Sequence, residues 1–112
     1  MSDWQNGNIS KLLPIDLAHL SRQTLGDESL KREVLGLFLV QATAARTELA
    51  QAKGEARRSL AHRLVGSARA VGAFAIAACA AELEASPQSE AAAEQLPLLI
   101  DEMQLFLSEQ MG

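Results

Sequence analysis

The apolar and polar positions of the chain fall into segments of helical period separated by turn residues. Asp16 caps a short helix over "DLAHLSRQTL", with Leu17, Leu20 and Leu25 facing inward and Gly26 ending it. Asp27 caps a second helix over residues 28–53, with an apolar stripe of Leu30, Val34, Leu37, Phe38, Ala45 and Leu49 and a stop at Lys53-Gly54. At about 1.5 Å per residue that helix is roughly 39 Å long, which suits a bundle better than a globular cluster. A third helix runs from Glu55 to Val71, with Gly72 as its break, and a fourth from Ala73 to Ala85, ending at "SPQS". A fifth begins near Ser89 with the stripe Leu96, Leu99, Ile100, Met103, Phe106 and Leu107; Pro97 inside it predicts a kink or a late start.

The connections are short, as antiparallel neighbours require. The fold expected is therefore all-α: an antiparallel four-helix bundle with a short additional N-terminal helix, over residues 14–112. Residues 1–13 are mostly polar and Gly/Asn-bearing, with Trp4 their one aromatic residue, and read as a loose or docked N-terminal arm. Composition agrees. Hydrophobic residues make up 48% and aromatic residues only 4% of the 112, so the β-branched and aromatic content that strands favour is low.

Charge and cysteine usage narrow the function classes. The net charge is −4, and four arginines (Arg57, Arg58, Arg63, Arg69) form only a local cluster, read as a solvated helix face. No nucleic-acid partner is expected from this balance. The single cysteine, Cys79, excludes an intrachain disulfide and a cysteine-rich zinc site, and reads as a small core residue. No apolar run approaches the roughly 20 residues of a membrane span, and "MSDWQNGNIS" lacks the basic start and apolar stretch of a signal peptide. A cytoplasmic protein without a membrane partner is expected.

The chemistry concentrates in "AHRLVGSARAVGA", residues 61–73. On a wheel of about 100° per residue, Leu60, Leu64 and Val71 lie opposite His62, with Ser67 beside them. Glu55, Arg58, Gly66 and Arg69 lie within about 40° of His62, and Val65 and Ser59 flank that face at about 60°. His62 thus points away from the core. Gly66, one turn on, costs about 1 kcal/mol relative to alanine in a helix interior. It reads as a clearing that lets a large partner reach the imidazole, as a neutral surface glycine, or as a site of close helix packing. An exposed imidazole is in general largely neutral at pH 7, and its free nitrogen is a nucleophile. Guanidinium groups nearby stabilise phosphoryl charge. The constellation suits receipt of a phosphoryl group from another protein. A metal or haem bundle would need several inward His or Glu ligands, and none is found, so no metal site is expected.

The segment resembles the signature of histidine-containing phosphotransfer (HPt) domains, roughly His-x-Leu-Lys-Gly-Ser/Ala-Ser/Ala, three residues, then Gly-Ala. His62, Leu64, Gly66, Ser67, Ala68, Gly72 and Ala73 match it. "LFLVQATAARTELAQA" is similar to the family's preceding helix and "CAAELEA" to its following one, so the resemblance covers residues 15–108. It implies a four-helix bundle that is not an ATP-dependent kinase. It further implies a phosphoacceptor histidine, His62, that takes a phosphoryl group from one receiver-domain aspartate and passes it to another. The partners implied are the receiver domains of a hybrid histidine kinase and of a response regulator. No cofactor is implied in this chain, because the Mg²⁺ belongs to the receiver. Such members are commonly monomeric.

The same resemblance assigns Gly66 as the clearing and Ser67 as a local helix-supporting hydrogen bond. Gln41, three residues after Phe38, either hydrogen-bonds near the imidazole and fixes its tautomer or faces water. The family's lysine three residues after the histidine is replaced by Val65. Arg69 and Arg58 lie on the same face and are expected to supply the missing charge, with Arg63, at about 100°, less well placed. Val65, Arg63 and Ser59 are expected in partner docking. His19, Glu82 and Glu84 read as structural or surface groups. The competing reading, which Val65 favours, is an HPt-like module that docks receivers or kinases without carrying phosphate.

Overall fold

The computed structural model describes residues 14–111, so the arm and Trp4 lie outside the described residues. Five helices follow in order: α1 (Leu17–Gln23), α2 (Glu28–Leu49), α3 (Gly54–Val71), α4 (Phe74–Ala85) and α5 (Glu90–Met111). Helices α2–α5 form the bundle, each packed on the next, and α5 closes back on α2. Helix α1 lies against α3.

The capping residues act as their chemistry dictates. Asp16 Oδ1 accepts from the His19 backbone N–H at 3.1 Å, and Asp27 Oδ1 accepts from that of Leu30 at 3.0 Å. At the α3 C-terminus Gly72 adopts φ +86. The Ala73 N–H donates to Ala68 O and the Gly72 N–H to Arg69 O, which is a Schellman closure. A Cβ on Gly72 would sit 2.9 Å from the Asp16 carbonyl oxygen, while the Asp16 N–H donates to Gly72 O at 2.8 Å. Glycine is thus what lets α1 close onto the α3–α4 corner.

Several expectations are corrected. In α2 the buried positions are Leu35, Phe38, Ala42, Ala45 and Leu49, whereas Leu30 and Leu37 are exposed. Residues 35–40 offer apolar side chains on every face except at Gly36, so the register is decided further along by Ala42, Ala45 and Leu49. Leu25 is 92% exposed rather than inward, at φ +54. Helix α2 ends at Leu49, four residues early, and a turn precedes Lys53. Of the two expectations at Pro97 the late start is not met: α5 begins at Glu90 and runs through Pro97. Arg57 is not on a solvated face. It is 4% exposed, and its guanidinium donates to Ala52 O at 3.1 Å and Pro87 O at 2.8 Å, tying the α2–α3 connection to the α4–α5 connection.

Cys79 is buried and its thiol lies 3.4 Å from Ala92 O; burial, with a lesser contribution from Glu82, pushes the thiol up. No helix among the described residues is long and apolar enough to cross a membrane.

Candidate functional site

Helix α3 presents one polar face between α2 and α4. His62 sits at its centre with a side chain 73% exposed. Gly66, one turn later, is exposed, and a Cβ built there would meet nothing within 4 Å. Close helix packing therefore does not explain this glycine; open space next to the imidazole remains. Gln41, His62, Arg63, Gly66 and Ser67 line an open concavity between α2 and α3.

The strongest contact of the imidazole comes from α4. His62 Nδ1 lies 2.7 Å from Glu84 Oε2. A carboxylate only accepts, so Nδ1 carries the proton and, in the neutral ring, Nε2 carries the free lone pair. Glu84 is about one-third exposed, which places this pair at the rim of the α3–α4 interface. Glu84, expected from the sequence to be a surface charge, is instead the partner of the imidazole. A signal did exist: His62 and Glu84 lie 11 residues either side of Ala73. In an antiparallel helical hairpin, positions equidistant from the turn come to the same level.

Gln41 is exposed and shares the concavity, but the imidazole's hydrogen bond goes to Glu84 and not to it. Ser67 Oγ donates to Arg63 O at 3.3 Å, a bond within its own helix. Ser59 is exposed.

Val65 requires a correction. It is 7% exposed and belongs to the core, so it offers no docking surface. The wheel weighed Leu60, Leu64 and Val71 and ignored the alanines. Ala61 and Ala68 are both buried and turn the buried arc of α3 toward α4, carrying Val65 inside. The exposed apolar side chain on the site's side of α2 is Leu37 instead, 66% exposed. Leu37 stands one turn before Gln41, on the same side of the helix by about 40°.

The arginines also sort differently. Arg63 lines the concavity with His62, although the helix wheel sets it about 100° away; its guanidinium lies 4.0 Å from Glu48 of α2. Arg58 is paired at 3.2 Å with Glu55 on its own helix. Arg69 is exposed two turns beyond His62. Among the described residues no group of three or more His, Cys, Asp or Glu is placed to hold a metal ion.

Residues 33–109 match the family model described as "Hpt domain". No curated protein and no solved structure matches the chain.

Proposed function

Because the chain belongs to the Hpt domain family, which serves histidine phosphotransfer in two-component signalling, we propose that His62 is its phosphoacceptor and relays a phosphoryl group between receiver-domain aspartates. The observation that carries this reading is the exposed imidazole whose Nδ1 is held by Glu84 at 2.7 Å. Nε2 is then the nucleophile. It attacks the phosphorus of a receiver's aspartyl phosphate; the N–P bond forms as the P–O bond to the aspartate breaks, and the freed carboxylate leaves with the electron pair. The proton on Nδ1 stays between the ring and Glu84, whose charge stabilises the cationic ring formed on attack. Onward transfer reverses these steps toward a second receiver.

Transfer needs the two proteins in contact, and Gly66 removes the side chain that would stand between them. Arg63 at the concavity, with Arg69 and Arg58 on the same helix face, supplies cationic charge in place of the lysine absent at position 65. Any Mg²⁺ is held by the receiver, where it would neutralise charge on the phosphoryl oxygens. Leu37 gives the docking surface its apolar content, next to the exposed polar edge of Ser59 and Arg63.

The test is transfer itself. Wild-type protein and His62→Gln are incubated with radiolabelled phosphorylated receiver domains, and the label is challenged with acid and alkali. Acid-labile, alkali-stable label on the wild type and none on the variant is the expected result. Docking of receivers with no label on either protein would establish the phosphate-independent module instead.

A further inference from the structure

The side of α2 turned away from His62 has a groove with no role in the transfer chemistry. It runs between α2 and α5, and its lining includes Gly36, Leu39, Val40, Thr43 and Gln104. Its polar floor is already satisfied: Gln104 Nε2 donates to Thr43 Oγ1 at 2.7 Å. Further along the same seam Arg46 and Asp101 form an exposed two-bond ion pair, both at 2.8 Å. What the groove offers a visitor is therefore mostly apolar.

Gly36 is the informative residue. It lies in the interior of α2, where glycine costs about 1 kcal/mol relative to alanine. It is exposed, and a Cβ there would meet nothing within 4 Å, so no internal packing requires it. Val40, one turn on, is 71% exposed. On α5 the rim continues with Leu98 and Leu105, 60% and 65% exposed. Glu94, Glu102 and Glu109 are exposed on the same outer arc of about 80°. Residues 70–112 contain seven side-chain carboxylates and no lysine or arginine; Asp101 is paired with Arg46 of α2 and Glu90 with Arg57 of α3, while Glu94, Glu102 and Glu109 form no ion pair among the described residues.

We propose that the α2–α5 groove is a second docking site, for an amphipathic helix of another protein with an apolar stripe and a lysine- or arginine-rich flank. Gly36 lets the backbone of that helix approach α2, Val40 and Leu105 pack on its stripe, and the glutamates of α5 face its basic flank. The groove and the histidine lie on opposite sides of α2, so a tethered protein keeps His62 open to receivers. The site does not depend on the phosphotransfer reading.

Two designed helical peptides with one shared apolar stripe, one flanked by lysine and one by glutamate, are titrated into ¹⁵N-labelled full-length protein. The lysine peptide is expected to shift the amides of Gly36, Val40, Thr43 and Leu105 and to bind at least about tenfold more tightly than the glutamate peptide. Gly36→Leu is expected to abolish that binding while leaving the helical circular dichroism and His62 labelling intact, since it fills open space and raises helix propensity. Val40→Glu, which leaves Gly36 in place, is the independent check and is expected to weaken the binding too. Equal affinity for the two peptides, shifts centred on His62, no binding of either peptide, or undiminished binding to Gly36→Leu would each overturn the proposal.

Discussion

In the proposed mechanism a carboxylate on one ring nitrogen leaves the other free to react and stabilises the cationic ring formed on attack. Glu84 therefore acts through His62, as a positioning residue, and its removal has a specific signature. Glu84→Ala is expected to slow phosphorylation of His62 by about ten- to a hundredfold, with the receiver concentration for half-maximal rate unchanged. Glu84→Gln should fall between, because the amide oxygen still accepts but carries no charge. The ¹⁵N spectrum of the imidazole checks the cause: wild type shows the Nδ1–H tautomer, and Glu84→Ala should show a mixture. A wild-type rate and tautomer in Glu84→Ala would remove Glu84 from the mechanism. The arginines yield a second prediction. Arg63→Ala should lower the transfer rate more than Arg69→Ala, since only Arg63 lines the concavity with His62; equal rates in all three proteins would show that neither guanidinium compensates for Val65. The exposure of His62 and Gly66 was legible in the sequence, because one helix wheel places them on the polar face. Glu84 was not, because it arrives from another helix, and Val65 was not, because small alanines set the buried arc.

The helices were legible where their ends carry unambiguous chemistry. Asp16, Asp27 and Gly72 each cap or close as their side chains require, and the bundle follows from amphipathic stripes joined by short turns. Registers were less legible: the nearly continuous apolar run over residues 35–40 fits several, and only packing against the neighbouring helices selects one. The end of α1 departs furthest from expectation. There Leu25 takes the position that Gly72 holds after α3, with the Gly26 N–H donating to Ser21 O at 2.9 Å and the Leu25 N–H to Arg22 O at 3.3 Å. The same Schellman closure is thus made once by glycine and once by a leucine at φ +54. The left-handed conformation costs a leucine roughly 1–2 kcal/mol, and its 92% exposure means that little packing offsets this. Glycine gives part of the gain back through the larger entropy of its unfolded chain. Leu25→Gly is expected to stabilise the fold by about 0.5–1 kcal/mol, read as a higher urea midpoint at unchanged slope. A lower midpoint would mean that Leu25 makes a stabilising contact.

Across the whole molecule, charge is divided by helix. Every lysine and arginine lies at or before Arg69, and α4 and α5 carry acidic groups alone. Helix α3, with four arginines against one glutamate, is the cationic helix and carries the phosphoacceptor candidate, whereas α2 holds three basic and three acidic residues; ion pairs cross from these helices to α5, Arg57 to Glu90 and Arg46 to Asp101. The second is the more exposed and the better formed. The Arg46 hydrogen bond holds the Asp101 carboxyl below its ordinary value, its charge adds to the effect and partial desolvation opposes it; the same bond raises the Arg46 guanidinium, which stays charged throughout. A carboxyl whose value is lower folded than unfolded binds more protons in the unfolded chain. Its contribution is then fully present above the unfolded value of about 3.9 and is lost as pH falls through the lower folded one. Asp101→Asn should consequently melt below wild type at pH 7. The gap should narrow only below about pH 4, closing as Asp101 itself is protonated, and it should also shrink with added salt because the pair is exposed. Melting curves across pH 2–7 at low salt decide the matter. If the two proteins melt together at pH 7, the pair contributes nothing, and the α2–α5 seam is held by buried apolar side chains such as Leu35, Phe38, Ile100 and Met103 rather than by charge.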